Sequence, residues 1–368
     1  MAAHVNGASW QGRRAVVTGG TGFIGGALAR RLAGLGAEVI VPTRDRSLIG
    51  GAGEHGIRHV ASASGNATRL AEMVAGADAV FNFAYDFRRS AEENVALYSR
   101  IADACAAGHV PRLVQASSIA VYDGWPVEDV NESSPCDGLG HEYKIAKRTI
   151  EYDVDRRVAA GDFDAVILQP TIVYGAGSPQ WVDALVERMA GGTLILPEGL
   201  NGLCNGVHID DVVEAFVAAG LLERGSAERF IVSGPNPFPW RDLFTAWAEA
   251  CGARVRFEGT ADFVPPRPAI SAVRPSPISM LARRASALAA DTIGAARLER
   301  LRSRLMGMKP GGRVYRPALD NPRLLYAQGR ASIEKMRARL HEPTVGADDG
   351  IARTQTYIRA KYPPSRRT

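Results

Sequence analysis

Residues 14–25 read Arg-Ala-Val-Val-Thr-Gly-Gly-Thr-Gly-Phe-Ile-Gly. The pattern of a buried strand comes first, glycines follow at three-residue spacing, and apolar residues then recur at helical spacing through residues 23–35. Gly19 permits a tight turn, Gly22 lets the backbone approach a pyrophosphate, and Gly25 lets the helix pack against the strand. The N–H groups at the start of a helix attract an anion. This strand–turn–helix pattern predicts a dinucleotide-binding site rather than a purely structural glycine turn.

The residues after the second predicted strand bear on which dinucleotide binds. In NAD enzymes an acidic residue at this place usually holds the ribose 2′-hydroxyl. Here Thr43 stands there, and Arg44 follows it. A neutral residue beside an arginine suits a 2′-phosphate, so the sequence favours NADP. NAD remains the alternative if Arg44 is only solvated and Asp45 takes the acidic role.

Strand and helix patterns alternate through the first half of the chain. Such alternation is typical of βαβ units on a parallel sheet, so we predict a Rossmann-type, doubly wound α/β fold. The predicted strands are 14–18, 38–41, 57–61, 79–83, 112–116, 165–169, 193–196 and 229–232. The predicted helices are 23–35, 91–107, 141–160, 181–189, 210–222, 240–250, 280–306 and 332–340.

The alternation breaks after Pro170, and this break suggests how the chain divides. We predict an NAD(P)-binding domain over residues 1–175, completed by 207–235. A smaller C-terminal substrate-binding domain is predicted from residues 176–206 and 236–368. Within it, the proline-rich stretch 261–277 is interpreted as a linker, and the residues after the last predicted helix as a tail.

The composition is that of a globular protein of 368 residues, of which 46% are hydrophobic and 23% charged. Four scattered cysteines form no Cys-x-x-Cys pair, so we expect neither disulfides nor a metal site, and a reducing, cytoplasmic location fits. The N-terminus lacks the apolar core of a signal peptide, and no apolar stretch is long enough to span a bilayer.

Basic residues are concentrated in one segment, residues 276–317, which carries nine Lys and Arg against two acidic residues. Because the net charge of the chain is only +5, the remainder is slightly acidic, and we expect no nucleic-acid partner. We interpret the segment as a helix of a substrate lid with a solvated basic face. A contact with an acidic substrate or an anionic membrane is the alternative.

Tyr143 and Lys147 form a Tyr-x-x-x-Lys pattern in a predicted helix, where this spacing puts both side chains on one face. Ser118 lies upstream, just past a predicted strand. A hydroxyl, a phenol and an ammonium together can transfer a proton, and we expect the charge of Lys147 to lower the pKa of Tyr143. The serine can hold the substrate oxygen by a hydrogen bond. The preceding glycine turn argues against an exposed helical pair without function.

The chain resembles the extended short-chain dehydrogenase/reductases, also called the NAD(P)-dependent epimerase/dehydratase family, from about residue 13 to 234. The resemblance rests on several motifs in the order that the family has them. These are residues 18–25, 116–122 (Ala-Ser-Ser-Ile-Ala-Val-Tyr), Asn94-Val95, Tyr143 with Lys147, 169–175 (Gln-Pro-Thr-Ile-Val-Tyr-Gly) and 207–212 (Val-His-Ile-Asp-Asp-Val).

The resemblance implies a role for each matching residue. Tyr143 would pass the proton, Ser118 would hold the reacting oxygen, Lys147 would orient the nicotinamide ribose, and Asn94 would support a proton relay. Asn66 stands where the family has an adenine-side acid, and it can still bond an adenine amine. The implied cofactor-binding residues are Gly19, Gly22, Phe23, Ile24, Gly25, Arg44, Asn66, Ala84, Lys147 and Pro170.

The expected activity is hydride transfer between a nicotinamide and a secondary alcohol or ketone of a sugar-like or other polyol-like small molecule. Ile119 and Ala120 follow Ser118 where sugar-nucleotide dehydratases of this family carry acids, so dehydration is rejected. A nucleotide-sugar epimerase that retains its cofactor is the alternative. It is weakened because Gln169 and Cys204 stand where nucleotide-sugar enzymes of the family often have arginines, which normally clamp a diphosphate, and Ile172 stands where they often have an asparagine. It stays open because Arg313, Arg316 or Arg323 could supply the charge instead.

Two further expectations concern partners. The family commonly forms dimers through two long helices, so the helices 91–107 and 141–160 are expected to join a homodimer. A non-catalytic nucleotide-binding sensor is the alternative of another class. Such relatives typically lose the tyrosine or the lysine, and both are present here.

Overall fold

The computed structural model describes residues 9–49, 56–61, 66–223, 227–259 and 314–363. The predicted linker 261–277 and the predicted helix 280–306 therefore lie outside the described residues. The labelled helices are α1 Phe23–Gly34, α2 Ala67–Val74, α3 Ala91–Ala107, α4 Glu142–Ala159, α5 Ala184–Met189, α6 Ile209–Leu221 and α7 Trp240–Ala250. Shorter or later helices are Pro317–Asp320, Pro322–Leu325, Glu334–Arg339 and Ala347–Lys361.

The strands are β1 Arg14–Thr18, β2 Glu38–Thr43, β3 Ile57–Ala61, β4 Ala79–Asn82, β5 Arg112–Ala116, β6 Asp164–Pro170, β7 Ile172–Tyr174, β8 Thr193–Pro197, β9 Leu203–Cys204, β10 Gly206–His208, β11 Glu228–Val232, β12 Phe238–Pro239, β13 Arg254–Glu258 and β14 Val314–Tyr315. Those of the central sheet run parallel in the order β11-β6-β5-β4-β1-β2-β3. The order reverses between β1 and β4, and ligands of such sheets bind at this point, beyond the carboxyl ends of the strands. The Rossmann-type fold is thereby confirmed.

Helices cover both faces of the central sheet, because successive side chains of each strand point to opposite sides. Along β1, Ala15 and Val17 pack towards α1 and α6, whereas Val16 packs towards α2, α3 and α4. Helix α3 begins where Ser90 and Glu93 form a reciprocal capping box with each other's backbone N–H. This cap fixes the start of α3 beside the loop that follows β4.

A second hydrophobic core, separate from the two sheet faces, lies around β8, α5 and α7. Here β8 pairs in parallel with both β13 and β14, and Trp240 and Trp247 are fully buried. Strand β13 was not predicted, because its sequence alternates with arginines and forms a strand through pairing with β8.

The expectation of a C-terminal tail is wrong, since Ala347–Lys361 is a helix. Its sequence is too polar to give a clear apolar stripe, and contacts with the second core hold it. Ile358 is fully buried, and Asp183 accepts hydrogen bonds from the Tyr357 hydroxyl at 3.0 Å and from the Lys361 ammonium at 2.8 Å. Asp211, at the start of α6, accepts from the backbone N–H of Val345 at 2.9 Å and so ties this part of the chain to the sheet.

Candidate active site

The glycine turn brings three backbone segments closer than side chains would allow. Gly19 has a φ of +69°, in the left-handed region that favours glycine. A Cβ on Gly25 would stand 2.5 Å from the carbonyl oxygen of Gly19, and one on Gly19 would stand 2.9 Å from the carbonyl carbon of Phe83. Gly22 precedes α1 with no side-chain cap, and the first turn of α1 contains no acid. This cradle fits a dinucleotide pyrophosphate, and Phe23 and Ile24 begin the helix at its rim.

Asp45, which follows β2, caps the short helical turn that comes after it. Its carboxylate accepts from the N–H of Ser47 at 3.0 Å and from the Ser47 hydroxyl at 2.6 Å, which caps the short 3-10 helix Arg46–Leu48. Thr43 is buried and accepts from the N–H of Asp45 at 3.0 Å. Arg44 is exposed at the carboxyl edge of the sheet.

Asp86, in the loop after β4, shows that Arg44 lies near this loop. Burial raises the pKa of Asp86, but hydrogen bonds from Arg88 and the positive charges of Arg88 and Arg44 outweigh burial and leave the pKa below its usual value. Next to β2 and β4, the side chains of Arg44 and Arg88 therefore place positive charge around the carboxylate of Asp86.

Three other predicted cofactor residues lie at helix starts and strand ends. Asn66 caps α2, with its side-chain oxygen accepting from the N–H of Arg69 at 3.0 Å. Ala84 follows β4, and its N–H donates to the side chain of Asn82 at 3.2 Å. Pro170 ends β6 and is buried. The sequence analysis predicts that all three residues bind the cofactor, and these contacts stay predictions.

The structure brings Ser118, Tyr143 and Lys147 together beyond the carboxyl end of β5. Ser118 lies close enough to Tyr143 for its hydroxyl to lower the pKa of the phenol, and the same hydroxyl accepts from the N–H of Ala120 at 3.2 Å. The ammonium of Lys147 donates to the carbonyl of Ala116 at 2.8 Å and lies 5.7 Å from the ring centroid of Tyr143. A carbonyl oxygen placed beside the phenol and the serine hydroxyl could accept a proton there.

The expectation that Lys147 lowers the pKa of Tyr143 is wrong for this structure. Burial raises the pKa of Tyr143 above its ordinary value, and the hydrogen bond with Ser118 opposes this only in part. Lys147 faces the carbonyl of Ala116, and burial lowers its own pKa to about 8, against the opposing charge of Glu151. Tyr143 is therefore held as a neutral phenol near neutral pH, which makes it a proton donor.

Asn94 holds the loop that follows β4. Its side-chain oxygen accepts from the N–H of Asp86 at 2.9 Å, and its amide donates to the carbonyls of Asp86 at 3.0 Å and Ser90 at 2.9 Å. Among the described residues, the side chain of Asn94 is therefore hydrogen-bonded to the loop and not to Tyr143 or Lys147. The proton-relay role of Asn94 stays a prediction.

Glu151 was missed at the sequence level, although it lies one further turn of α4 beyond Tyr143 and Lys147. Its side chain is 5% exposed. It accepts from the amide of Gln169 at 3.0 Å, from the guanidinium of Arg229 at 3.1 Å and from the hydroxyl of Ser117. The spacing of four residues along one helix face was the available signal.

A group of aromatic side chains around Tyr143 was also missed. Phe87 stacks on Tyr143 with ring centroids 5.4 Å apart, and Tyr85 meets Tyr143 edge-on at 5.2 Å. His141, immediately before α4, lies parallel to Tyr143 at 6.2 Å. We call Tyr85, Phe87, His141 and Tyr143 the aromatic cluster. Two aromatic residues directly after a buried strand were its only signal in the sequence.

The positions expected to lack a diphosphate clamp are buried. Gln169 is fully buried between Glu151 and the Tyr122 hydroxyl, which donates to it at 2.7 Å. Ile172 and Cys204 are buried apolar side chains of the second core. These three residues therefore have no access to a ligand phosphate.

Neither a metal centre nor a membrane span was found where the chain is described. The described ranges contain no group of three His, Cys, Asp or Glu side chains placed to hold a metal ion. The helices among them are all too short or too polar to cross a bilayer.

A parallel Rossmann-type sheet with a glycine cradle and a Ser–Tyr–Lys group at its carboxyl edge defines a short-chain dehydrogenase/reductase. A sequence profile of the NAD dependent epimerase/dehydratase family matches residues 15–232. The chain thus belongs to this family, and it is an enzyme of the extended short-chain dehydrogenase/reductase type.

Three similar proteins illustrate the range of the family. The 2-alkyl-3-oxoalkanoate reductase of Stenotrophomonas maltophilia is 29% identical over 65% of this chain and 76% of its own length. The short-chain dehydrogenase/reductase family 42E member 1 of Xenopus laevis is 26% identical over 61% of this chain and 62% of its own. An epimerase of Methanothermobacter thermautotrophicus shares the fold, with a TM-score of 0.68 at 16% identity over 96% of this chain and 94% of its own.

Proposed function

We propose that this protein is an NADP-dependent oxidoreductase that interconverts a ketone and a secondary alcohol. The observation that carries the proposal is the convergence of Ser118, Tyr143 and Lys147 at the carboxyl edge of the sheet, on the same edge as the glycine cradle. When bound, the nicotinamide supplies or accepts the hydride. The side chains of this protein then have to bind, orient and exchange one proton at the substrate oxygen.

Each of the three side chains has a separate task. Ser118 holds the substrate oxygen by a hydrogen bond, beside the phenol of Tyr143. Tyr143 donates the proton to that oxygen during reduction, and its raised pKa keeps the proton available near neutral pH. Lys147, anchored on Ala116, is close enough to the same edge to orient the cofactor ribose.

A reductase is favoured over an epimerase that retains its cofactor. The burial of Gln169, Ile172 and Cys204 leaves these positions unable to clamp a nucleotide diphosphate. In addition, a similar protein, the one from Stenotrophomonas maltophilia, is named as a reductase of 2-alkyl-3-oxoalkanoates. Cofactor-retaining epimerisation stays the alternative, because similar folds include epimerases.

NADP is proposed over NAD on the geometry after β2. Asp45, the one acid available there, is engaged by Ser47, so it is poorly placed to hold a ribose hydroxyl. Arg44 is exposed at the same edge and can face a 2′-phosphate.

The remaining finer predictions are also proposals. A homodimer through α3 and α4 is supported by exposed Ile145 and Tyr152 on α4. A cytoplasmic location is supported by four cysteines that are all free thiols. The division into a cofactor domain and a smaller substrate domain is supported by the separate core around β8. A sugar-like substrate, and with it a role in carbohydrate metabolism, rests on the family resemblance alone.

The proposal is tested by mixing the purified protein with NADPH or NADH and a panel of ketones, while following loss of the reduced nicotinamide. We expect net NADPH oxidation, matched one-to-one by the secondary alcohol. Inversion of a chiral secondary alcohol, incubated with the protein and oxidised cofactor and without net cofactor change, would instead establish the epimerase. A protein that binds NADPH but converts no ketone and no alcohol would contradict the proposal.

A further inference from the structure

The aromatic cluster surrounds the ring of Tyr143. Phe87 is stacked on the Tyr143 ring, with an angle of 24° between the ring planes. The ring centroid of Tyr85 lies 5.0 Å from that of Phe87 and 5.2 Å from that of Tyr143. The ammonium of Lys147 lies 4.9 Å from the ring centroid of Tyr85. The cluster is therefore continuous with the Ser118–Tyr143–Lys147 group and shares the Tyr143 ring with it.

Phe87 is 69% exposed although it belongs to this cluster. A single exposed apolar side chain is ordinary on a protein surface. Phe87 differs because it is stacked on the proton-donating residue, where a bound substrate would cover it. Leu139, two residues before His141 of the cluster, is 98% exposed in the segment that leads into α4.

Four polar side chains beside the cluster, those of Asp86, Asn94, Lys144 and Arg148, are already bonded within the protein. Asp86 makes two hydrogen bonds with the Arg88 guanidinium, both at 2.8 Å, and Asn94 is bonded to the backbone of the same loop. Lys144 is paired with Asp123, and Arg148 donates to the carbonyl of Gly138 at 2.7 Å. A substrate rich in hydroxyls or phosphates would have to break these bonds, whereas an apolar group would leave them intact.

Resting on the proposed ketone reduction, we propose that the aromatic cluster is a subsite for an aryl group attached to the reacting carbonyl of the substrate. The aryl ring covers the exposed part of Phe87 and Tyr85 while its carbonyl oxygen reaches Ser118 and Tyr143. Aromatic pairs of this kind prefer offset-stacked or edge-on contacts, and Phe87 and Tyr85 offer one face and one edge. The substrate is then an aryl ketone, in contrast to the sugar-like substrate expected from the resemblance.

The first test measures binding without turnover. The protein loaded with NADPH is titrated by calorimetry with 1-phenylethanol, or with 1,2-propanediol as the hydroxylated counterpart, because a reduced cofactor cannot react with an alcohol. We expect 1-phenylethanol to bind more tightly. The Phe87→Ala variant should weaken its binding about tenfold and change binding of the diol less than twofold. The Phe87→Tyr variant should retain the affinity.

The matched control is Phe257→Ala, which removes another partly exposed phenyl ring. Phe257 lies in β13, and its ring packs against the guanidinium of Arg241 in α7. It should leave the binding of both alcohols unchanged. Equal or tighter binding of 1,2-propanediol, or 1-phenylethanol binding that Phe87→Ala does not weaken, would overturn the subsite.

The second test separates this inference from the proposed function by comparing turnover of acetophenone and hydroxyacetone with NADPH. We expect acetophenone to be preferred and its preference to fall in Phe87→Ala. If hydroxyacetone is preferred and Phe87→Ala is neutral, ketone reduction stands and the subsite is wrong. If neither ketone is reduced but 1-phenylethanol binds through Phe87, the subsite stands and the proposed function is wrong.

Discussion

One face of helix α4 carries Tyr143, Lys147 and Glu151 on successive turns, and its polar side at Glu151 and its aromatic side at Tyr143 are built in opposite ways. Behind Lys147, the carboxylate of Glu151 is buried and bonded by Ser117, Gln169 and Arg229. In front of Tyr143, the aromatic cluster is open, and Phe87 is largely exposed. The buried side makes directional hydrogen bonds in a medium of low dielectric constant, while the open side offers mainly the faces and edges of aromatic rings.

This difference separates two tasks that one helix turn has to perform. The polar side fixes the helix and the charge state of Lys147, so it should be sensitive to any loss of a partner. The aromatic side selects what lies against Tyr143, so it should tolerate substitution and change substrate preference. Variants on the two sides should therefore fail in different ways.

The largest effect is expected where the two sides meet, in Tyr143→Phe. The variant keeps the ring, and with it the contacts to Phe87 and Tyr85, but loses the donated proton. We expect kcat to fall by about 10²- to 10⁴-fold, with little change in NADPH affinity or in thermal stability. Steady-state kinetics and a cofactor titration check this. Wild-type turnover in the variant would remove Tyr143 from the chemistry.

On the polar side, Glu151→Ala should cost about 3–5 kcal/mol of unfolding free energy, because it leaves buried partners without the carboxylate. Denaturant unfolding measures this cost. Asp155→Asn is the matched control. Asp155 lies on the same helix as Glu151 and also pairs with Arg229, but its side chain is 40% exposed. We expect the control to cost less than about 1 kcal/mol. Equal costs would mean that the buried network is not special.

The pH profile sharpens the same comparison. Burial lowers the pKa of Lys147 to about 8, and the charge of Glu151 opposes this. As the pH rises through about 8, Lys147 loses its proton and its charge, so kcat/KM for ketone reduction should fall. Glu151→Gln removes the opposing charge and should shift this fall to lower pH, whereas Phe87→Leu on the aromatic side should leave it in place. A shift to higher pH in Glu151→Gln would contradict the assigned coupling.

A smaller effect is expected from Arg44→Ser, which lies away from both sides of α4. Loss of a hydrogen bond to a charged group is expected to raise the KM for NADPH about tenfold and leave the KM for NADH unchanged. Arg46→Ser, on the adjacent exposed turn, serves as the control for the general loss of positive charge. If NADH is the better cofactor of the wild type and Arg44→Ser has no effect, NAD replaces NADP in the account.

Local patterns were enough to predict the framework of the fold. Strand β1 and helix α3 have the predicted bounds, because apolar periodicity is a property of short segments. The C-terminal helix and β13 could not be predicted in this way. They are polar segments that become ordered through contacts with residues far away in the sequence.

The proposed site likewise combines residues that local sequence spacing indicates with residues that only the fold brings together. The glycine cradle and the Ser–Tyr–Lys group follow fixed spacings, so the sequence could indicate them. The partners of Glu151 come from β6, from β11 and from the residue after β5, while Tyr85 and Phe87 come from the loop after β4. Their meeting at α4 depends on strand order, which spacing does not contain. The pKa of Tyr143 was missed for the same reason, because burial is a property of the assembled site.

The central claim is that Tyr143 donates a proton to a ketone while the bound nicotinamide gives a hydride to the same carbonyl. It is tested most directly with NADPH deuterated at the transferable position of the nicotinamide and an aryl ketone, with the product analysed by mass spectrometry. The account predicts one deuterium on the carbinol carbon for each NADP⁺ formed, and almost no product from Tyr143→Phe with its cofactor bound. An unlabelled product, or a labelled product formed equally fast by Tyr143→Phe, would contradict it.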